Sequence, residues 1–174
     1  MPLYHKFTSK HAALVNANLV AGFLKYQDSP DIRKTHLFDG RYENIYLNEQ
    51  HIPELVTVIT EATQLAEQIL HLQNLRTGYW FNYMPPGAST TLHTHDDDDE
   101  LLSGVYYVAV PQDSGNLIIY DDADKSRSES VEIIPATGQF VFFGPDVRHE
   151  VSRNNSREHR LSIGMNFGLA EQPE

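Results

Sequence analysis

The stretch SGVYYVAVPQDSGNLIIYDD (residues 103–122) carries the pattern that decides the fold of this chain. Two runs of β-branched and aromatic residues stand on either side of Pro111, Asp113 and Gly115, residue types that favour turns. Comparable runs from Thr77 onward are GYWFNYM, STTLHTH, VEIIPA, GQFVFFG, HEVSRN and RLSIGMNFG. Their repeat of about 8 to 12 residues is typical of an antiparallel sandwich or barrel of roughly eight strands.

The first half of the chain has a helical pattern instead. Residues 9–26 are rich in Ala, Leu and Val, and a second segment after Pro53 repeats apolar residues at spacings of three and four. Between them, HLFDGRYENIYL predicts two short strands around the turn dipeptide Asp39-Gly40. The apolar positions of the second helix are Leu55, Val58, Ala62, Leu65, Ile69 and Leu72.

We therefore expect a mainly β fold of the α+β class, built as one domain over residues 1–174. Its core is a double-stranded β-helix, or jelly roll, over residues 77–168. The helical N-terminal part, residues 1–76, is expected to pack on one of the two sheets. A chain of 174 residues is long enough for one well-packed core and short for two.

Composition excludes several classes of function. The chain has no cysteine, which rules out disulfides, zinc ribbons, iron–sulfur clusters and thiol nucleophiles. Its formal net charge of −11 disfavours nucleic acid as a partner, because phosphate backbones repel an acidic protein. No stretch is apolar enough for a membrane span or a secretory leader, so we expect no membrane partner and a cytoplasmic location. Nothing in the pattern decides against a homodimer.

The segment HTHDDDDE (residues 93–100) holds the strongest functional signal. On an extended strand His93 and His95 point to the same face, because side chains alternate with period two. His149, in FFGPDVRHEV, can join them from a distant strand and complete a three-point grip on a metal ion. Imidazole and carboxylate ligands suit Fe(II), Mn, Ni or Zn. The other six histidines show no such pairing and are interpreted as surface or core residues: His5, His11, His36, His51, His71 and His159.

The third metal ligand has three candidates. His95 lies beside His93, Asp97 would form a His95-x-Asp97 pair, and Glu100 follows the acidic run. The spacing Gly87-x5-His93-x-His95-x4-Glu100 resembles the first motif of cupins, and Gly138-x10-His149 has the spacing of the second. Otherwise the Asp96–Asp99 run is typical of a solvated loop.

Arg160 is the candidate for binding an anion. It lies 11 residues after His149, so the next strand can bring it into the barrel beside the metal. A buried arginine is costly unless it meets an anion, and a carboxylate fits its planar fork. Ser162 shares the face of Arg160 and can add a hydroxyl donor.

Residues 79–167 resemble the Fe(II)/2-oxoglutarate-dependent oxygenases related to prolyl hydroxylases. The specific motifs are SGVYYV, SGNL, the run GQFVFFGPDVRHEV and the R-x-S of HRLSIG. The resemblance implies that His93 and His149 ligate iron and that Arg160, with Ser162, binds the distal carboxylate of 2-oxoglutarate. It also implies co-substrate contacts from Asn82 and from Tyr106 or Tyr107. The family usually has a carboxylate two residues after the first histidine, where this chain has His95.

Two enzyme hypotheses follow. The first is an Fe(II)/2-oxoglutarate dioxygenase, a hydroxylase acting on a small molecule or a peptide. The alternative is a cupin-type metalloprotein, a dioxygenase or isomerase that does not use 2-oxoglutarate and has no need of Arg160. A third hypothesis is a binding module without catalytic activity, which would have the jelly-roll fold but no metal ion.

Overall fold

The computed structural model describes residues 2–95, 99–122 and 129–171 of the chain. Two helices and ten strands lie within these ranges. In chain order they are β1 (Tyr4–Thr8), α1 (Ala12–Tyr26), β2 (Arg33–Phe38), β3 (Arg41–Tyr46), α2 (Leu55–Leu70), β4 (Leu75–Met84), β5 (Leu102–Ala109), β6 (Leu117–Asp121), β7 (Glu129–Ile133), β8 (Gln139–Phe143), β9 (His149–Val151) and β10 (Arg160–Leu169).

The strands form two antiparallel sheets. The large sheet has seven strands in the order β1-β8-β5-β10-β4-β3-β2, and the small sheet has three in the order β7-β6-β9. Apolar side chains of both sheets, among them Val141 and Phe143 of β8 and Leu117 and Ile119 of β6, form a small core. The predicted mainly β jelly roll is confirmed.

The helices cover the large sheet, as the sequence predicts. On α2 the buried residues Leu55, Val58, Ala62 and Ala66 recur at spacings of three and four, so one face of the helix enters the core. On α1, Phe23 packs against Phe81 of β4 with ring centroids 5.2 Å apart. In the described ranges, neither helix is long and apolar enough to cross a membrane.

The hairpin predicted around Asp39-Gly40 is present. Asp39 and Gly40 have φ values of 49° and 78°, the left-handed pair that a tight two-residue hairpin turn requires. The hairpin joins the large sheet where Ile45 of β3 pairs with Phe81 of β4. It therefore lies directly beside the strand that carries Asn82.

Two parts of the strand prediction were wrong. β1 was not expected, because its short segment becomes a strand only through pairing with the edge strand β8. The run STTLHTH does not form a strand; among the residues described it contributes one isolated bridge, between His93 and His149. Pro85 and Pro86 precede this run and have no backbone N–H to donate to a ladder.

Candidate metal centre

Three histidines meet although only one of them lies on a strand. His149 begins β9, and the isolated bridge joins it to His93 through backbone N···O distances of 3.1 and 3.0 Å. The backbone N–H of His95 donates to the Pro145 carbonyl at 2.8 Å, which holds the third residue near the other two. One ring nitrogen from each histidine lies within 4.8 Å of the others. That spacing is compatible with a single metal ion between them.

Hydrogen bonds to carbonyl groups define the tautomers of two of these rings. Nδ1 of His93 lies 2.8 Å from the Thr91 carbonyl oxygen, and Nδ1 of His149 lies 3.0 Å from the Val147 carbonyl oxygen. A carbonyl only accepts, so both Nδ1 atoms carry the proton. The lone pair of each ring is then on Nε2, the atom available to a metal.

The site also keeps the imidazoles of His95 and His149 neutral. Burial, together with the neighbouring His149 and His93, lowers the pKa of His95 to about 3. Burial and the charge of His93 lower the pKa of His149 to about 4. Metal binding requires an unprotonated imidazole, so near neutral pH these rings need lose no proton to bind.

The candidates for the third ligand are in different places. His95 belongs to the cluster, and its ring centroid lies 5.4 Å from that of Trp80. The Glu100 carboxylate instead accepts a hydrogen bond from Nη1 of Arg76 at 3.2 Å. Asp97 lies outside the described residues. Among the residues that the structure describes, the metal-binding group therefore consists of nitrogen donors alone.

Arg160 is buried at the start of β10, with 1% of its surface exposed. Its Nη1 donates to the sulfur of Met84 at 3.4 Å, a weak acceptor, while Nε and Nη2 have no partner in the described part of the chain. The guanidinium carbon lies 5.3 Å from the centroid of the Tyr107 ring. Burial lowers the pKa of Arg160, but an arginine in a protein remains charged. Arg160 is thus a buried cation without a counter-ion among the residues that the structure describes.

Three more predicted residues line the same cavity as Arg160: Ser162, Asn82 and Tyr107. Ser162 is buried and lies opposite Asn82 in the β10–β4 register. Tyr107 is fully buried; its hydroxyl has no hydrogen-bond partner among residues 2–95, 99–122 and 129–171, and burial raises its pKa. The adjacent Tyr106 donates to Asn16 of α1 at 2.6 Å and does not line the cavity. Of the two tyrosines, Tyr107 is therefore the one available to a ligand.

Asn82 has a fixed amide orientation. Its Oδ1 accepts a hydrogen bond of 2.8 Å from Nη1 of Arg41, the first residue of β3. Since the oxygen is occupied in this way, the amide nitrogen is the donor that Asn82 can offer to a ligand in the cavity.

These residues share one cavity of about 400 Å³. Seven of the predicted site residues line it, whereas Glu100 and Tyr106 do not: the seven are Asn82, His93, His95, Tyr107, His149, Arg160 and Ser162. The sequence analysis did not single out several other polar residues that line it, among them His36, Glu43, Asn44, Tyr46 and Thr91. The hairpin residues of this set reach the cavity only through tertiary structure, which no local pattern of the sequence indicates.

The residues present fit Fe(II) and 2-oxoglutarate. Imidazole is a common ligand of Fe(II), and three ring nitrogens would leave other coordination positions to a co-substrate. Within the described parts of the chain, Nε and Nη2 of Arg160 and the hydroxyl of Tyr107 are donors without acceptors, as the carboxylate of a co-substrate would require.

Comparison with known families gives a match over the same part of the chain. The family model described as "Putative 2OG-Fe(II) oxygenase" matches residues 78–166, just over half of the sequence. That range includes the three histidines and Arg160. Among curated protein sequences there is no match.

Solved structures share the fold at low sequence identity. The prolyl-4-hydroxylase of Pseudomonas putida has a TM-score of 0.71 and 21% identity, over 95% of this chain and 92% of its own. A prolyl hydroxylase of Trichoplax adhaerens, in complex with a peptide fragment of the hypoxia inducible factor oxygen degradation domain, has a TM-score of 0.69 and 14% identity. The match covers 95% of this chain and 83% of that protein. EvdO2 of Micromonospora carbonacea var. aurantiaca, complexed with 2-oxoglutarate, has a TM-score of 0.67 and 15% identity. The match covers 97% of this chain and 86% of that protein.

Proposed function

The chain belongs to the 2OG-Fe(II) oxygenase family, whose cofactor is Fe(II) and whose co-substrate is 2-oxoglutarate, and on this premise we propose a role for each residue of its cavity. His93, His95 and His149 hold the iron through their Nε2 atoms. Arg160 binds the distal carboxylate of 2-oxoglutarate, assisted by Ser162. Asn82 and Tyr107 donate further hydrogen bonds to the co-substrate.

One observation carries this proposal. Arg160 is 1% exposed and two of its nitrogens lack a partner in the described ranges, yet it lies in the same cavity as the three histidines. A buried cation without a counter-ion is unfavourable, and an anionic ligand would remove that cost. A cupin-type metalloprotein that uses no 2-oxoglutarate would gain nothing from a buried arginine in its metal cavity.

In the reaction, Fe(II) and 2-oxoglutarate supply an oxidation in which O2 is consumed, 2-oxoglutarate becomes succinate and CO2, and one oxygen atom reaches the substrate. His93, His95 and His149 would hold the metal as three neutral donors, which would leave its 2+ charge to be balanced by the anionic co-substrate. Arg160 fixes the far end of that dianion, and burial strengthens the attraction because little water screens it. Trp80 and Phe143 contribute apolar surface to the same cavity.

The primary reaction is proposed to be a hydroxylation, and the substrate a small molecule or a peptide. His36, Asn44 and Tyr46 of the hairpin line the cavity away from Arg160's strand and offer polar contacts to such a substrate. The net charge of −11 argues against nucleic acid. We propose the cytoplasm as the location, since a reducing compartment keeps iron as Fe(II). We propose no membrane partner, and a homodimer is compatible with this site.

An anaerobic titration tests the assignment. Fe(II) is added to the metal-free protein with and without 2-oxoglutarate, and the visible metal-to-ligand charge-transfer band of a chelated keto acid is recorded. The band is expected in wild type and lost in His149→Ala. Metal binding without any effect of 2-oxoglutarate would favour the cupin-type alternative.

A further inference from the structure

A buried carboxylate lines the cavity and has no role in the function proposed above. Glu43 of β3 is 5% exposed. Both of its oxygens accept hydrogen bonds from one residue: Oε1 from the backbone N–H of Thr91 at 2.8 Å, and Oε2 from the Thr91 hydroxyl at 2.9 Å. A buried charge is stable only when it is well hydrogen-bonded, and among the described residues Thr91 donates both of these bonds.

Thr91 depends on this carboxylate because the sheet does not bond its N–H. On the side of β9, Thr90 donates to the Val151 carbonyl at 3.2 Å and His93 donates to the His149 carbonyl at 3.1 Å. The Thr91 N–H, which follows Thr90 in the sequence, donates instead to the side chain of Glu43 on β3.

The carbonyl of Thr91 accepts the Nδ1 proton of His93 at 2.8 Å. One peptide segment therefore connects the Glu43 carboxylate to the ring that offers Nε2 to the metal. We propose that Glu43 is a positioning residue for His93: by fixing Thr91 it sets the tautomer and orientation of the ligand's ring. The inference rests on the proposed function, because it requires His93 to bind the metal.

The chain contains a matched control for this arrangement. Glu61 of α2 accepts hydrogen bonds from the Ser9 hydroxyl at 2.6 Å and from the Lys10 backbone N–H at 3.0 Å. It thus makes the same pair of bonds, one from a hydroxyl and one from a backbone N–H, and it does not line the metal cavity. If Glu43 were only an anchor for a loop, removing either carboxylate would affect stability and leave metal affinity alone.

The experiment titrates Co(II) into metal-free wild type, Glu43→Ala and Glu61→Ala, and follows the visible d–d absorption. Partners that orient a ligating histidine typically contribute about 10- to 100-fold in metal affinity, so Glu43→Ala should weaken Co(II) binding by that factor and alter the band shape. Glu61→Ala should retain the wild-type affinity and spectrum. Equal Co(II) affinities in the two variants would overturn the proposal.

A conservative variant separates geometry from charge. In Glu43→Gln the amide oxygen can still accept the Thr91 N–H, and the amide nitrogen can donate to the Thr91 hydroxyl. We expect this variant to recover most of the Co(II) affinity that Glu43→Ala loses. Should Gln bind as weakly as Ala, the positioning role through Thr91 would be wrong.

Two further measurements keep the test decisive even if Glu43→Ala does not fold. Long-range ¹H–¹⁵N spectra of metal-free wild type should show His93 protonated at Nδ1; the opposite tautomer would refute the proposal. His149→Ala tests the metal site itself. If His149→Ala binds Co(II) normally, the proposed centre fails, whereas loss of Co(II) binding in His149→Ala together with an Nε2-protonated His93 in wild type rejects only the positioning role.

Discussion

Replacing Arg160 by Met should have opposite effects on the free protein and on its complex with 2-oxoglutarate. In the free protein Nε and Nη2 have no partner in the described residues, and the side chain packs near Met84 and Tyr107. Exchanging uncompensated buried charge for an apolar side chain of similar length should stabilise the fold by about 1–4 kcal/mol. Urea unfolding of metal-free protein measures this change.

Co-substrate binding should weaken in the same variant. Hydrogen bonds to a charged group contribute about 1.5–3 kcal/mol, and about 1.4 kcal/mol corresponds to a tenfold change in Kd. We therefore expect Arg160→Met to raise the Kd of 2-oxoglutarate by about 10- to 100-fold. Arg160→Lys should recover part of this loss, because an ammonium group lacks the planar fork of a guanidinium.

A thermal-shift assay of Co(II)-loaded protein reports both the stability of the protein without 2-oxoglutarate and the further stabilisation that 2-oxoglutarate adds. At 2-oxoglutarate concentrations of about 100 times the wild-type Kd, binding stabilises wild type by about 2.7 kcal/mol. After a 100-fold rise in Kd the same concentration gives only about 0.4 kcal/mol. Arg157→Met is the control, since Arg157 is exposed. An unchanged 2-oxoglutarate affinity in Arg160→Met would refute the assigned role of this residue.

Three further predictions concern the cavity. His95→Ala should lose Fe(II) in an equilibrium dialysis, whereas Glu100→Ala should retain it; the reverse result would make Glu100 the third ligand. Asn82→Asp should weaken 2-oxoglutarate binding by about tenfold in calorimetry, because an acceptor oxygen replaces a donor N–H beside an anion. An affinity equal to wild type would exclude Asn82 as a contact. Gly164→Ala should reduce Fe(II)-dependent 2-oxoglutarate turnover and lower Tm, since an added Cβ would lie 2.5 Å from the Trp80 indole; a silent variant would contradict the cavity shape described.

The sequence predicts the parts of this molecule that depend on local periodicity. The spacing of Leu55, Val58 and Ala62 indicates the buried face of α2, and all three are buried. β1 escaped prediction because Tyr4–Thr8 has no strong strand pattern of its own and gains its conformation from β8.

The candidate site also has a part that local sequence spacing indicates and a part that it does not. The spacing of His93 and His95 indicated two rings near each other, although the strand assumed for them is absent in the described ranges. Glu43 and Arg41 were not predicted, because their contacts with Thr91 and Asn82 are 48 and 41 residues distant in sequence. Long-range side-chain contacts of this kind have no periodic signature.

The hairpin of β2 and β3 has a consequence for how this enzyme can be shortened or varied. The residues that match the family begin at position 78, yet Arg41 and Glu43 lie well before it. A protein reduced to residues 77–174 would retain every proposed ligand of iron and 2-oxoglutarate. It would lose Arg41 and Glu43, the hairpin residues that are hydrogen-bonded to Asn82 and Thr91. Under the role proposed for Glu43, substitutions in the hairpin are expected to alter metal affinity while the ligands themselves stay unchanged.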